Sequence, residues 1–238
     1  MTCISPYYSH GGPGIIQYGF TAITPQHVIT SGHVDVISLL EVDDTIRFIT
    51  ADNPTTVITR TIRGKVRHPA YAPYYPDFTV CTLNTPLPAT ITPCKMLPAN
   101  YASYLSHLEN GRPPAMILNQ YEQARVAELH DLGPSAPSLA NFVRPGLHRK
   151  RLEFYENLIP GDSGNPAFLI INDNLVLLTT WTLGGAGVGT FVTPQISALN
   201  AMIAAADAHA ASRGYPLPAE QQGQTVQTID LSGFNSAP

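Results

Sequence analysis

The stretch "IPGDSGNPAF", residues Ile159–Phe168, places Ser163 between Asp162 and Gly164. Its glycines and prolines favour a tight, strained turn that exposes a hydroxyl group. A serine hydroxyl is a poor nucleophile at neutral pH, so catalysis requires a neighbouring base and a third group that orients the base. A purely structural glycine turn is the alternative interpretation. The rest of the sequence must therefore supply a histidine and a carboxylate in matching contexts.

Two other stretches offer these groups. In "AITPQHVITSGHV" the pattern predicts a strand, a turn, a second strand and a short bend that places His33 at a strand end. In "RHPAYAPYYPDFTVCTL" a loop rich in proline and tyrosine brings Asp77 to the start of an apolar strand, where a carboxylate would be partly buried. Asp35, Asp43 and Asp44 are rival orienting groups, but they follow His33 too closely to replace Asp77.

The composition limits the classes of partner. Charged residues make up 13% of the chain, about half of the ~25% usual for soluble domains, and the net charge is −4. This balance gives no broad attraction for nucleic acid or for an anionic membrane. The three cysteines show no disulfide framework and no metal-ligand spacing, so we expect no cofactor and no metal.

The sequence shows no targeting segment. It has neither a basic region followed by an apolar run at its start nor an uninterrupted run of about 18 apolar residues, so no signal peptide or membrane span is predicted. The compartment stays open: cytoplasmic by default, or particle-associated if the chain is viral.

Hydrophobic patterning predicts a protein made mostly of β-strands. Short runs rich in Val, Ile, Thr and aromatic residues, such as "TIRFITA", "PAFLII" and "LVLLTTWTL", are bounded by turn residues at sandwich or barrel spacing. One helix is predicted after Thr193 and Pro194, with one apolar face. That face comprises Ile196, Leu199, Met202, Ile203 and Ala206. From Gly214 onward the Pro, Gln and Gly content predicts an extended tail, in which "TVQTIDL" is a candidate added strand.

The segments "VITSGH", "HPAYAPYYPDFTVCTL" and "GDSGNP" together resemble those that carry histidine, aspartate and serine, in that order, in the trypsin-like (chymotrypsin-fold) serine endopeptidases. The resemblance covers roughly residues 14–211. Because no cysteine stands at or beside Val34 to brace the histidine loop, the chain is more similar to disulfide-poor bacterial and viral members. The resemblance implies an all-β fold of two six-stranded antiparallel β-barrels with a C-terminal helix.

The resemblance also implies a domain plan. The protease domain would span residues 1–213, with the two barrels at roughly 1–100 and 101–192 and the helix at 194–212. Residues 214–238 would form the extended tail, which is also the candidate contact for a protein partner. The substrate would be a polypeptide.

By this resemblance each catalytic role falls on a numbered residue. Ser163 is the nucleophile, His33 the general base and then acid, and Asp77 the group that orients and supports the imidazolium. The backbone N–H groups of Gly161 and Ser163 form the oxyanion hole. Peptide bonds would be hydrolysed through an acyl-enzyme intermediate.

The resemblance also implies a set of substrate-binding residues. "LLTTWTLGGAGVGTFVTP" is similar to the family's substrate-binding strand, so Thr180, Trp181 and Thr182 are expected to pair with an extended substrate backbone. A core position for the Trp181 ring is the equally open alternative. The base of the specificity pocket falls on Asn157, and a shift of one residue would place the acidic Glu156 there instead. The preferred substrate side chain stays open.

Asp162 raises a separate question because a buried, unpaired carboxylate is costly. We expect an internal arginine to pair with it, with Arg144, Arg149 and Arg151 as the candidates. Cys81, on the apolar strand after Asp77, is expected to be a small core residue and not a reactive thiol.

Three functional classes remain. The first is a serine endopeptidase. The second is an esterase of another serine hydrolase family, whose late Asp-x-x-His motif is matched only imperfectly because Asp207 and His209 are one residue too close. The third is a non-enzymatic binding or assembly protein on the same fold, with the tail as its contact. The presence of all three catalytic residues favours the endopeptidase.

Overall fold

The computed structural model describes residues 18–37, 40–49, 56–72, 75–104, 112–121, 123–133, 138–146 and 149–233. Within these residues the chain forms two curled, mostly antiparallel sheets and a C-terminal helix. The N-terminal 17 residues, which include Cys3, and the last five residues of the predicted tail lie outside the described part. Within that part, no helix is long and apolar enough to cross a membrane.

The first sheet is antiparallel and has the strand order β1-β2-β5-β4-β3. Its strands are β1 (Thr21–Ala22), β2 (His27–Thr30), β3 (Thr45–Ile49), β4 (Val57–Arg67) and β5 (Thr79–Leu83). Every residue of β5 is buried, because Cys81 and Leu83 face a core inside this sheet while Val80 faces a second core shared with the other sheet. This burial on both faces explains why the strand after Asp77 carries no charged side chain.

The second sheet has the order β12-β9-β8-β7-β10-β11-β6-β13. Its strands are β6 (Lys95–Met96), β7 (Pro114–Leu118), β8 (Ala124–Leu132), β9 (Leu139–Val143), β10 (Pro166–Ile171), β11 (Asn174–Thr180), β12 (Val188–Thr190) and β13 (Gln227–Thr228). All pairs are antiparallel except those that β6 makes with β11 and β13. A large apolar core that includes Trp181, Phe191 and Leu178 lies against this sheet.

The prediction of two closed six-stranded barrels is wrong for the described residues, which form sheets of five and eight strands. Part of the difference is that β13, from the tail, joins β6 in parallel at one end of the second sheet and adds a strand to it. Pairing between strands that are distant in the chain depends on tertiary packing, which a strand pattern does not encode.

The C-terminal helix α2 (Ile196–Ser212) follows a 3₁₀ turn at Thr193–Gln195, and a short helix α1 (Gly32–Val36) follows β2. The predicted apolar face of α2 is confirmed for Leu199, Met202, Ile203 and Ala206, which are buried in the core between the sheets. A Cβ atom on Gly64 of β4 would lie 2.1 Å from the carbonyl oxygen of Ala206. Glycine at this position therefore allows helix and strand to pack closely.

The described part of the tail packs against the sheets that precede it in the chain. The predicted added strand is present as β13, in which Gln227 is opposite Lys95 and Thr228 is opposite Met96. The apolar side chains around it, Val226, Ile229 and Leu231, are buried in the cores of the domain. The described part of the tail therefore contributes to packing.

Replacing Ile229 with alanine is expected to lower the free energy of unfolding by about 2–4 kcal/mol, because it leaves a cavity in the core under β13. Urea denaturation measures this change. The matched control is Thr228→Ala, because Thr228 is in the same strand but is exposed. Equal stability losses in the two variants would contradict the packed position of the tail.

Candidate active site

The structure brings together His33, Asp77 and Ser163 from three distant segments. His33 is in the first turn of α1, Asp77 precedes β5, and Ser163 lies in the turn before β10. The Nε2 atom of His33 is 2.8 Å from Ser163 Oγ, and its Nδ1 atom is 2.8 Å from Asp77 Oδ2. A Cβ atom on Gly32 would lie 3.0 Å from the backbone nitrogen of Phe78. Glycine before the histidine thus lets α1 approach the loop that carries the aspartate.

The carboxylate of Asp77 holds the imidazole at two points. Its Oδ1 accepts the backbone N–H of His33 at 2.7 Å, and its Oδ2 accepts the ring N–H at Nδ1. The side chain of Asp77 is fully buried, and that of His33 is 28% exposed. A buried carboxylate at Nδ1 selects the tautomer that leaves the Nε2 lone pair facing Ser163. The backbone N–H of Asp77 in turn donates to Thr190 Oγ1 at 2.8 Å.

The turn that carries Ser163 requires glycine on both sides. Gly161 has φ +103° and Gly164 has φ +79°, both in the left-handed region. A Cβ atom on Gly164 would lie 2.3 Å from the Gly19 carbonyl oxygen. The Ser163 carbonyl accepts the Gly19 N–H at 2.9 Å, which ties the turn to the first sheet.

Two backbone donors at this turn are open. Among the described residues the N–H groups of Gly161 and Ser163 have no acceptor, whereas that of Asp162 donates to the Ile159 carbonyl at 3.0 Å. The N–H of Gly164 also has an acceptor, the Trp181 carbonyl at 3.3 Å. The open donors belong to the two residues that the resemblance assigns to an oxyanion hole.

The prediction that an arginine pairs with Asp162 is wrong. The Asp162 side chain, 2% exposed, accepts the Gln120 N–H at Oδ1 and the Ile159 N–H at Oδ2, each at 2.7 Å. Within the described ranges none of Arg144, Arg149 and Arg151 forms an ion pair with it, and Arg151 pairs with Glu128 at 3.0 Å. Burial raises the pKa of Asp162, although the two backbone N–H bonds favour the charged form.

A cavity of about 270 Å³ opens beside Ser163. Its other lining residues are Leu158, Ile159, Pro160, Asp162, Trp181, Thr182, Leu183 and Gly184. Asp162 is the one acidic residue among them, and both of its oxygens are engaged by backbone N–H groups. The walls are otherwise largely apolar.

Neither residue predicted for the base of the specificity pocket lines this cavity. Asn157 and Glu156 are exposed; Asn157 accepts a hydrogen bond from the Tyr155 hydroxyl, and Glu156 pairs with Arg125 at 2.9 Å. Leu158 forms an antiparallel bridge with Gly185 and is buried. Because side chains alternate along extended backbone, an inward Leu158 turns Asn157 outward.

The predicted substrate edge is already engaged at Trp181. Thr180, which lies opposite Pro166 at the end of β11, accepts the Thr179 hydroxyl at its carbonyl at 3.0 Å. The Trp181 N–H donates to the Asn165 carbonyl at 2.9 Å, and its own carbonyl accepts the Ser31 hydroxyl at 2.6 Å. The Trp181 ring is buried and meets Phe142 edge-on at 5.1 Å between centroids, so the core alternative holds for this side chain.

The open backbone edge beside Ser163 lies two residues further along. In the part of the chain that the structure describes, the Thr182 carbonyl and both the N–H and carbonyl groups of Gly184 have no hydrogen-bond partner. The intervening Leu183 pairs with Val188, and Gly184 lies in the turn that follows it. Thr182 belongs to the predicted segment, and Gly184 follows it two residues later. The glycine pair in "TLGGAG" was the available sequence signal, since glycine admits close backbone approach.

The Asp207 and His209 pair lies away from the serine. Asp207, on α2, contacts Nε2 of the buried His27 at 2.8 Å and accepts the Thr82 hydroxyl at 2.9 Å. The ring of His209 contacts the Lys65 carbonyl at 2.9 Å. The pair that the esterase alternative needs at Ser163 is therefore engaged elsewhere, in attaching α2 to the first sheet.

The other side chains of reactive types among the described residues are either buried or form no cluster that could bind a metal ion. Cys81 and Cys94 are free and fully buried, and burial raises the pKa of both thiols, as expected for a core Cys81. The described residues contain no group of three or more His, Cys, Asp or Glu side chains that could hold a metal ion.

A larger groove, of about 670 Å³, lies on the second sheet. Arg125 is the one charged residue among its described lining residues, and these residues include no nucleophile paired with a base.

No family model and no curated protein matches this chain. Its two curled, antiparallel-rich sheets and C-terminal helix are compatible with a chymotrypsin-like fold. The functional argument therefore depends on the arrangement of groups around Ser163.

Proposed function

We propose that this protein is a serine endopeptidase of the trypsin-like type. The observation that carries the proposal is the continuous chain from the Asp77 carboxylate through the His33 ring to Ser163 Oγ, with both contacts at 2.8 Å. The two open N–H donors in the serine turn support it. The base, the orienting group and the open donors then lie around Ser163, which lines the cavity, as acyl transfer requires.

In the proposed mechanism Ser163 Oγ attacks the carbonyl carbon of the scissile peptide bond while its proton passes to Nε2 of His33. The carbonyl oxygen becomes an oxyanion and accepts the N–H groups of Gly161 and Ser163. Asp77 stays ionised and stabilises the imidazolium. When the C–N bond breaks, the leaving amine takes the proton from Nε2 and the acyl group remains on Ser163.

The second half of the reaction uses the same groups. His33 takes a proton from a water molecule, whose oxygen attacks the acyl carbon. The new tetrahedral oxyanion uses the same two N–H donors. Its collapse returns the proton from Nε2 to Ser163 Oγ and releases the carboxylic acid product, so the enzyme is regenerated.

A polypeptide substrate fits the open edge at Thr182 and Gly184. The unpaired carbonyl and N–H groups of this edge can bind an extended peptide as an added strand. One substrate side chain would then enter the cavity next to Ser163. A small ester would leave this edge unused, which favours endopeptidase activity over esterase activity.

Peptides with an apolar side chain directly before the scissile bond are expected to be cleaved best. Burying such a side chain contributes about 1.5–3 kcal/mol, whereas a buried lysine or arginine would lack an available acidic partner in the cavity. Leucine or phenylalanine should therefore exceed alanine at this position by about 10- to 100-fold in kcat/KM. A series of peptides that differ only at this residue measures the preference. Faster cleavage after arginine would contradict the assignment of the cavity.

A fluorophosphonate probe tests the proposed function directly, because it phosphonylates an activated serine. We expect labelling of the folded protein at Ser163, identified by mass spectrometry, and loss of labelling in Ser163→Ala. The matched control is Ser212→Ala, since Ser212 is an exposed serine at the end of α2. Absence of labelling in folded wild-type protein would overturn the proposal and favour the non-enzymatic binding protein.

A further inference from the structure

The hairpin between β7 and β8 places Gln120 against the serine turn. The Gln120 backbone N–H donates to Asp162 Oδ1 at 2.7 Å, and its side-chain Nε2 donates to the Pro160 carbonyl at 3.1 Å. A Cβ atom on Gly161 would lie 2.5 Å from Gln120 Oε1. Gln120 thus forms hydrogen bonds with Pro160 and Asp162 and occupies the space beside Gly161.

The contact with the Pro160 carbonyl fixes the direction of an oxyanion donor. That carbonyl and the Gly161 N–H belong to one planar trans peptide, in which they point in opposite directions. Because the carbonyl is held toward Gln120, the N–H points away from it and has no acceptor among the described residues. If this peptide rotated, the donor would be lost and the carbonyl would turn toward the site.

The hairpin itself is held firmly. Asn119 Oδ1 accepts the N–H groups of Tyr121 at 3.1 Å and Gln123 at 3.0 Å, which closes the loop. Strand β7 pairs with β10, the strand that begins just after the serine turn. The hairpin and the serine turn therefore lie at the ends of two paired strands, and Gln120 connects them.

We propose that Gln120 is a positioning residue for catalysis: its side-chain amide holds the Pro160–Gly161 peptide in the orientation that presents the Gly161 N–H to the oxyanion. This inference rests on the proposed endopeptidase function. The backbone N–H of Gln120 anchors the Asp162 carboxylate in the same turn, so the side chain and the main chain of one residue hold both ends of the Pro160–Asp162 segment.

The variant Gln120→Met tests the side chain alone, because it removes the amide at similar length and keeps the backbone N–H. Loss of one oriented oxyanion donor typically costs 10²–10³ in kcat, so we expect kcat to fall up to about 100-fold. KM should change by less than about threefold, since the oxyanion forms only after binding. Affinity for a peptide aldehyde, which forms a hemiacetal oxyanion, should fall in parallel with kcat.

Gln120→Glu supplies a signature that a merely structural role would not produce. An ionised carboxylate cannot donate to the Pro160 carbonyl, but a protonated one can. The activity of this variant relative to wild type is therefore expected to rise as the pH falls toward the titration of the new carboxyl. The control is Gln123→Met on the same hairpin, whose side chain contacts Asn119 and Arg125 and not the serine turn.

Several outcomes would overturn the inference: a wild-type kcat and aldehyde affinity in Gln120→Met, an equal loss in Gln123→Met, or a pH-independent activity ratio in Gln120→Glu. A crystal structure of Gln120→Met adds a readout that needs no activity. We expect the Pro160–Gly161 peptide to be rotated or to adopt two orientations, and an unchanged peptide would also overturn the inference. Failure of the wild type to react with the fluorophosphonate would instead refute the endopeptidase proposal, whereas an unchanged Pro160–Gly161 peptide in Gln120→Met would refute only the positioning role of Gln120.

Discussion

Alanine at Ser163 or at His33 is expected to lower kcat about 10⁶-fold, and the double variant is expected to lose no more than either single variant. The reason is that the two side chains act as one unit across the 2.8 Å contact between Oγ and Nε2. Without the hydroxyl there is no nucleophile to deprotonate, and without the ring there is no base to accept the proton. Long incubations with a fluorogenic peptide, followed by mass spectrometry of the products, measure these rates.

The comparison depends on folded variants. Ser163 and His33 are both partly exposed, so removal of either side chain should leave the thermal unfolding curve close to that of wild type. Ser212→Ala again serves as the control with wild-type kcat. Losses that multiply in the double variant would mean that the serine and the histidine act independently, and this would refute the proposed relay.

Asn at Asp77 is expected to reduce kcat about 10⁴-fold while the protein stays folded. Asp77 offers one oxygen to the His33 backbone N–H and the other to the ring at Nδ1, whereas asparagine has only one oxygen. If that oxygen keeps the backbone contact, the amide NH₂ faces Nδ1. The ring then carries its proton on Nε2 and can no longer accept one from Ser163. Steady-state kinetics and ring-nitrogen NMR of the variant report the rate and the tautomer.

Asp35→Asn is the matched control for this variant. Asp35 lies in the same helix α1, two residues after His33, but its carboxylate pairs with Lys65 at 2.7 Å and Arg67 at 3.6 Å. Its replacement should leave kcat near the wild-type value. If Asp35→Asn proved as damaging as Asp77→Asn, or if Asp77→Asn kept full activity, Asp77 would not be the group that orients His33.

The sequence was most informative where the signal is local. The bend before His33, the proline-rich loop before Asp77 and the glycines around Ser163 each carry their own turn chemistry, and the structure brings these three side chains together. The apolar face of the C-terminal helix was predictable for the same reason, because a period of 3.6 residues is visible within a single segment.

The missed features depend on contacts between distant backbone groups. Asp162 is satisfied by the N–H groups of Gln120 and Ile159, and every residue except proline has such a group, so nothing in the sequence singles them out. The position of the open edge depends on the register in which Trp181 pairs with Asn165. A shift of register by one residue exchanges the inward and outward positions of a strand, so the sequence alone does not fix which backbone groups of this segment are open.

The anchoring of Asp162 by backbone groups of its own domain has a consequence for maturation. Folding alone brings both N–H groups to this carboxylate, so the turn needs no new amino terminus released by cleavage of a precursor. Under the proposed function, a newly synthesised chain would acquire hydrolytic competence as it folds and would have no latent form controlled through Asp162.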